Sequence, residues 1–147
     1  MELYTAKQVA DKLSWKPRKV VDSVERGIIV PRHKEDTGPG YKRYFQREDI
    51  IKLKLFEELK RLGYFRSSID KVFELVEGNA EAHEAIYGEL EKGEVVFLGM
   101  VQTPDKVRHI TVVHAGEKDN IVLKTPARSV ISHFLVNITA LRKEIGI

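Results

Sequence analysis

The strongest constraint on the fold is the order of short local patterns near the start of the chain. The stretch "YTAKQVADKL" predicts a helix capped by Thr5, because Gln8 stands three residues further on, as in a capping box. The stretch "SWKPRKVVDSVERG" predicts a second helix, with Pro17 at its first position and Gly27 just after its end. Two short helices separated by about three residues are typical of a helix-turn-helix.

Two β-like runs and two further helical patterns follow. The runs "IIVPRH" and "YKRYF" flank the turn-rich "KEDTGPG", which predicts a two-stranded hairpin, or wing. The stretch "REDIIKLKLFEELKRLG" predicts an amphipathic helix closed by Gly63, and "SSIDKVFELVEG" predicts a helix entered through Ser67 or Ser68. The side chains expected to point inward from the amphipathic helix are Ile50, Ile51, Leu53, Phe56, Leu59 and Leu62. We expect residues 1–78 to form a winged helix-turn-helix domain.

The rest of the chain predicts a small α/β module over residues 79–147, for dimerisation or for binding a partner or ligand. Residues 79–94 predict a short acidic helix. The stretches "EVVFLGMV", "VRHITVVHAG" and "NIVLKTP" predict three strands, and Pro126 opens a final helix that runs to about Ile145. The expected fold class is therefore α+β.

Apolar residues of the predicted final helix recur in steps of four and three, the spacing of a heptad seam. They are Ala127, Ile131, Phe134, Ile138, Leu141 and Ile145. Two interpretations remain open: the helix packs on its own three-stranded sheet, or it forms the seam between two chains.

Charge is divided unevenly along the 147 residues. Residues 1–66 contain 16 Lys and Arg against 10 Asp and Glu, a net charge of +6, whereas the remainder has a net charge of −3. This asymmetry favours a polyanion-binding N-terminal half. No stretch approaches the roughly 20 apolar residues of a membrane span, and there is no cysteine, so we expect a cytoplasmic protein without disulfides or thiolate sites.

Several stretches of the first 76 residues occur together in one known family. They are "YTAKQVADKL", "PRKV", "RGIIVPR", "GYKRYF" and "LKRLGYFRSSI". In this order the sequence resembles the MerR-type winged helix-turn-helix family of DNA-binding regulators. It departs from the family in "VVDSVERG", where members usually carry an arginine and aromatic residues. The resemblance implies a transcriptional regulator that binds duplex DNA.

The predicted DNA contacts lie on the second helix and the wing. The N-terminal part of a recognition helix enters the major groove, and Arg18 there can reach either a guanine edge or a phosphate. The resemblance implies that Tyr41 and Arg43 contact phosphate from the wing. Trp15 either packs in the core or leans on the DNA backbone. The full predicted set is Thr5, Lys16, Arg18, Lys19, Arg32, Lys34, Tyr41, Lys42 and Arg43.

Catalytic and metal-binding patterns are missing from the sequence. There is no HExxH, paired CxxC or GxSxG, and His109 and His114 are five apart in a predicted strand, so they point to opposite faces. Glu57 and Glu58 fall among lysines, as on a solvated helix face. We expect no enzyme, no metal and no cofactor.

The sequence predicts a sequence-specific, homodimeric regulator of duplex DNA. A dimer of twofold symmetry would read two half-sites and enlarge a small interface. Two alternatives remain: an architectural or phage-type winged-helix factor, and a protein-interaction adaptor built on a helix-turn-helix. A protein partner or small-molecule effector of the C-terminal module is also left open, because its apolar strands suit a pocket as well as a plain core.

Overall fold

A computed structural model describes residues 2–31, 33–35, 42–102, 108–116 and 132–147. The chain forms two compact units, one of Met1–Leu62 with Arg142–Ile147 and the other of Gly63–Leu141. The predicted domain boundary at residue 78 concerns independent folding, and it stays a prediction. Helices at the N-terminus precede a three-stranded antiparallel sheet and a C-terminal helix, which confirms the α+β class.

The first unit begins with strand β1 (Leu3–Thr5) and two helices, α1 (Ala6–Leu13) and α2 (Pro17–Glu25). The predicted capping box is confirmed, since the backbone N–H of Gln8 donates to Thr5 Oγ1 at 3.3 Å and that of Thr5 donates to Gln8 Oε1 at 2.8 Å. Ser14 ends α1 in the left-handed region with a φ of 55°. The chain then turns into α2, and the two predicted helices of the helix-turn-helix are present.

A small sheet carries the wing. Strands β2 (His33–Glu35) and β3 (Lys42–Gln46) pair in antiparallel fashion, and β1 pairs with the other edge of β3. The hairpin is therefore confirmed, but its predicted first strand "IIVPRH" was wrong, because residues 28–31 are not in a strand. Ile29 and Pro31 are instead buried. Strand β1 was not predicted, since it is only three residues long and needs β3 to form. The turn residues 36–41 lie outside the described residues.

Helix α3 (Arg47–Arg61) supplies much of the core of the first unit. Four of the six side chains predicted to point inward are completely buried, and Phe56 is half-buried. The prediction for Leu62 was wrong, because 52% of it is exposed. This residue lies just past the last helical residue, where the apolar periodicity no longer fixes its direction. The completely buried four are Ile50, Ile51, Leu53 and Leu59.

The second unit contains helices α4 (Arg66–Glu77) and α5 (Ala80–Tyr87) and a sheet of three strands. The strands are β4 (Glu94–Gln102), β5 (Arg108–Gly116) and β6 (Ser132–Asn137), in the order β5-β4-β6 and antiparallel throughout. Phe65, rather than Ser67 or Ser68, precedes α4 as its cap residue. Asn79 caps the predicted acidic helix by accepting from the N–H of Ala82. The first two predicted strands are confirmed, and "NIVLKTP" lies outside the described residues.

The predicted final helix was wrong over Ser132–Asn137, which is strand β6, and helix α6 occupies only Ile138–Glu144. The strand forms because it pairs with β4 and its side chains alternate, so that Val136 is buried whereas Leu135 is 36% exposed. This partner is distant in the sequence, and the helical spacing did not reveal it.

A continuous heptad seam is therefore also wrong, since Phe134 belongs to a strand. Ala127 and Ile131 lie outside the described residues. Ile138, Leu141 and Ile145 are at most 4% exposed within a single chain, so their apolar surface is already covered. Dimerisation itself stays a prediction, without this helix as its seam.

Candidate nucleic-acid interface

Helix α2 presents a cluster of cations at its N-terminal end. Lys16 is the cap residue, Pro17 occupies the first helical position, and Arg18 and Lys19 follow; all four are exposed. Proline is favourable there because the missing N–H has no intrahelical partner to lose. Val20 and Ser23 are buried, and the Ser23 hydroxyl donates to the Lys19 carbonyl at 2.8 Å. The helix thus packs on one side and leaves its cationic end open to a polyanion.

Arg18 is held along the exposed side of α2. Its Nε lies 2.9 Å from Asp22 Oδ1, and its Nη2 lies 3.5 Å from Glu25 Oε2. The Arg18 side chain is nevertheless 73% exposed. Exposed ion pairs of this kind contribute at most about 1 kcal/mol, so a guanine edge or a phosphate can replace them at little cost.

Lys19 is anchored to α3 through an aromatic ring and a carboxylate. Its ammonium lies 3.9 Å from the centre of the Trp15 ring and 3.2 Å from Glu57 Oε1. The indole N–H of Trp15 donates to the same Glu57 oxygen at 2.7 Å. Trp15 is half-buried, so its ring supports the recognition helix while one part stays accessible.

Lys54 completes the network from the other side of Glu57. Only 8% of Lys54 is exposed, and its ammonium lies 3.4 Å from Glu57 Oε2, 3.7 Å from Glu58 Oε1 and 3.4 Å from Glu144 Oε2. Burial lowers the pKa of Lys54, but Glu57 and Glu144 raise it more, so the net pKa lies above its ordinary value. A charged Lys54 thus lies beneath the contacts of Trp15 and Lys19.

The pKa of Glu57 is set by opposing effects. Burial raises it, whereas hydrogen bonds from Trp15 and Lys19 and the charges of Lys19 and Lys54 lower it, and the net pKa lies below its ordinary value. Glu57 is therefore an anion at neutral pH. The sequence interpretation of Glu57 and Glu58 as a solvated pair missed this role, since their side chains are only 30% and 18% exposed. The three-residue spacing from Lys54 to Glu57 was the available signal.

A cleft of about 320 Å³ opens beside these residues, between α2 and α3. Its apolar lining comes from Trp15, Ile28 and Phe56. Lys19, Arg26 and Lys60 bring positive charge to it, and Asp22 and Glu57 bring negative charge. The cleft therefore presents charges of both signs beside apolar surface.

Arg43 is partly enclosed in the wing. It lies two residues from Phe45, which is completely buried, so both side chains leave β3 on the same face and Tyr44 leaves on the other. The Nη1 atom of Arg43 is buried and has no hydrogen-bond partner among the residues that the structure describes. Its backbone pairs with that of Lys34 across the hairpin. Because this nitrogen is buried, a phosphate contact of Arg43 would have to use another nitrogen of its guanidinium.

For the remaining predicted DNA contacts, the structure describes only some of the residues or only their backbones. The Thr5 hydroxyl serves the cap of α1. Lys34 and Lys42 are placed in β2 and β3 by their backbones, whereas Arg32 and Tyr41 lie outside the described residues. The structure thus brings Lys16, Arg18 and Lys19 together on α2, and the DNA contacts of the whole set stay a prediction.

Among the described residues, no group of three or more His, Cys, Asp or Glu side chains is arranged to hold a metal ion. His114 Nδ1 hydrogen-bonds to Glu94 Oε1 in the second unit, and this contact and the N–H of Glu91 lower the pKa of Glu94. None of the described helices has the length and apolar character needed to cross a membrane.

Comparison with known families assigns the N-terminal segment. Residues 4–75 match the model of the MerR HTH family of regulatory proteins. A comparison with curated proteins found no match for the chain. The matched segment contains the helix-turn-helix, the hairpin and helix α3, and most of α4. The segment is similar to the helix-turn-helix domain of this family of regulatory proteins.

Proposed function

We propose that this chain, through its MerR-type domain, is a sequence-specific regulator of transcription that binds duplex DNA as a homodimer in the cytoplasm. The observation that carries the proposal is the exposed group of Lys16, Arg18 and Lys19 at the N-terminal end of α2, the second helix of the helix-turn-helix. Recognition helices place this end against base edges in the major groove. The β2–β3 hairpin of the same unit supplies further cations for the phosphate backbone.

Each cation has a role that follows from its surroundings. Lys16 is exposed at the cap and is suited to a phosphate contact. Lys19 is tied to Trp15 and Glu57, so it presents a fixed charge without reaching deeply into a groove. Arg18 is long, exposed and bound only by surface carboxylates, which makes it the candidate for reading guanine. Arg43 belongs to the hairpin, from which its guanidinium would contact phosphate through a nitrogen other than the buried Nη1.

A homodimer is proposed because one α2 helix covers few base pairs. Twofold symmetry would bring two recognition helices to half-sites about 34 Å apart, one turn of the duplex. The operator would then be an inverted repeat. Size-exclusion chromatography with light scattering tests this part separately, and a monomer at micromolar concentration would contradict it.

Selection from a randomised duplex library tests the function directly. The protein is incubated with the library at near-physiological salt, and the bound fraction is recovered and sequenced. We expect an enriched inverted repeat, and we expect Arg18→Gln to lose preference at one position of each half-site by about tenfold. Lys71→Gln is the matched control, because Lys71 is an exposed cation of α4 in the second unit, and it should select the wild-type motif.

Two other outcomes would contradict the proposal in different ways. Recovered DNA without an enriched motif would identify an architectural factor, which binds the backbone and the deformability of the duplex. No recovered DNA would identify a protein-interaction adaptor and would direct attention to a protein or effector of the second unit.

A further inference from the structure

Arg18, Asp22 and Glu25 form a row on the outer side of α2. Successive residues of a helix are rotated by about 100°, which places these three opposite the buried Val20. Their side chains are 73%, 38% and 50% exposed. In the proposed interface this side faces the bases, so Asp22, which also lines the cleft beside α3, would lie near the DNA.

The order of these charges does not favour the helix itself. Cations stabilise a helix near its C-terminus and anions near its N-terminus, and an acid placed before a base is the better order for an ion pair. In α2 the cation comes first, its first turn contains no acid and its last turn contains no base. The pair of Arg18 and Asp22 therefore stabilises the helix less than the reverse order would.

The contact with Asp22 leaves the reading end of Arg18 available. Asp22 Oδ1 binds Nε at 2.9 Å, so both terminal nitrogens still point beyond it, with only a 3.5 Å contact from Nη2 to Glu25. Two terminal nitrogens suffice for the paired contact to guanine O6 and N7. An arginine already fixed by a carboxylate loses less conformational freedom when it makes that contact.

A carboxylate beside the guanine discriminates between the neighbouring base pairs. It accepts hydrogen bonds but donates none, so it favours the amino groups of cytosine and adenine and is repelled by guanine O6 and N7, by thymine O4 and by phosphate. A base pair that presents only acceptors to Asp22 would leave its second carboxylate oxygen without a donor, while Oδ1 stays bound to Arg18 Nε.

We infer that Asp22 is a specificity-determining residue: it orients Arg18 through Nε and admits only base pairs that present an amino group to its carboxylate. The inference rests on the proposed DNA-binding function. Its chemical target is the cytosine or adenine amino group next to the guanine that Arg18 reads. Asp22 also weakens binding to unrelated duplex, because its charge opposes phosphate.

The test compares the wild type, Asp22→Asn, Asp22→Glu and Asp70→Asn in the randomised duplex selection, followed by affinity measurements on the selected and on unrelated duplexes. Asp70→Asn is the control, because Arg66 and Asp70 form an ion pair with the same four-residue spacing in α4. We expect Asp22→Asn to lose about tenfold of its preference for the amino-presenting base and to bind unrelated duplex severalfold more tightly. Asp22→Glu should lose the preference while its affinity for unrelated duplex stays near wild type.

The outcomes separate the two claims. If the wild type, Asp70→Asn and Asp22→Asn all select one motif with equal discrimination, the role of Asp22 is refuted. The proposed function as a sequence-specific DNA-binding regulator is then still supported. A uniform gain in affinity of Asp22→Asn for all sequences refutes the role equally, because only charge would have mattered. If the wild type selects no motif, both claims fail. Circular dichroism spectra and melting curves of all variants confirm that each one is folded.

Discussion

The indole N–H of Trp15 donates a 2.7 Å hydrogen bond to Glu57 Oε1, which joins the turn before the recognition helix to α3. Glu57 lies 42 residues further along the chain, so this bond is tertiary rather than local. It also brings Lys19 to the same oxygen. The position of the cations on α2 therefore depends on a residue that makes no DNA contact in the proposed interface.

Replacing Trp15 by Phe should destabilise the protein by about 1–2 kcal/mol, because a ring is retained while a hydrogen bond to a charged group is lost. Urea unfolding followed by circular dichroism measures the change. In a double-mutant cycle with Glu57→Met, which removes the acceptor, the two losses should not add, since both variants break the same bond. Additive losses would show that Trp15 and Glu57 are not coupled.

Lowering the pH should weaken the hydrogen bond between Trp15 and Glu57. The pKa of Glu57 lies below its ordinary value of 4.5 in the folded protein, so its charge stabilises the fold above that pH and the contribution is lost as pH falls through the folded-state pKa. Trp15 is the only tryptophan, so its fluorescence reports the loss locally. A fluorescence step is expected below pH 4.5 that Glu57→Gln abolishes. Glu94→Gln is the control and should keep the fluorescence step, because Glu94 also has a lowered pKa but lies in the second unit. If the step persists in Glu57→Gln, it belongs to the titration of another group.

Removing the charge of Lys54 should be costly at neutral pH. Lys54→Met keeps most of the buried aliphatic stem but leaves Glu57, Glu58 and Glu144 without their shared cation. We expect a loss of about 1–3 kcal/mol at pH 7 and a smaller loss near pH 4, where the carboxylates begin to protonate. Urea unfolding at both pH values measures this. The exposed pair of Lys71 and Glu74 provides the control Lys71→Met, which should change stability by less than about 0.5 kcal/mol; equal losses in the two variants would contradict the network.

An aspartate at Ile138 should unfold the chain rather than yield soluble monomers. Ile138 is completely buried within a single chain, so a charge there is expected to cost about 3 kcal/mol or more. Leu135→Asp is the matched control, because Leu135 lies on the exposed side of the adjoining strand. Circular dichroism and size-exclusion chromatography compare the two. A folded monomer of Ile138→Asp would show that this side chain belongs to an interface between chains.

Local signals made the N-terminal part of the fold predictable. The capping residues Thr5 and Gln8, proline at the first position of α2 and glycine after helices α2 and α3 act within a few residues, so they can be read without the tertiary structure. Strand β6 could not be read in this way. Its apolar residues suit a helix as well as a strand, and only its pairing with β4, whose partner residues lie 30 to 40 positions earlier, decides between them.

The candidate site likewise has one part that local sequence signals predict and one part that they do not. Lys16, Arg18 and Lys19 follow directly from the predicted start of α2. The network of Trp15, Glu57 and Lys54 does not, because it forms between α3 and the turn before α2, and the sequence shows only lysines and glutamates at ordinary helical spacing.

The dependence of duplex affinity on salt tests most directly whether the first unit is a DNA-binding surface. Fluorescence anisotropy with a labelled duplex would measure the affinity of the wild type, Lys16→Gln and Lys71→Gln between low and physiological salt. We expect the logarithm of the binding constant to fall linearly with the logarithm of salt concentration, with a slope that is smaller by about 1 for Lys16→Gln and unchanged for Lys71→Gln. No binding at low salt, or a slope that the Lys16 substitution does not alter, would contradict this account of the interface.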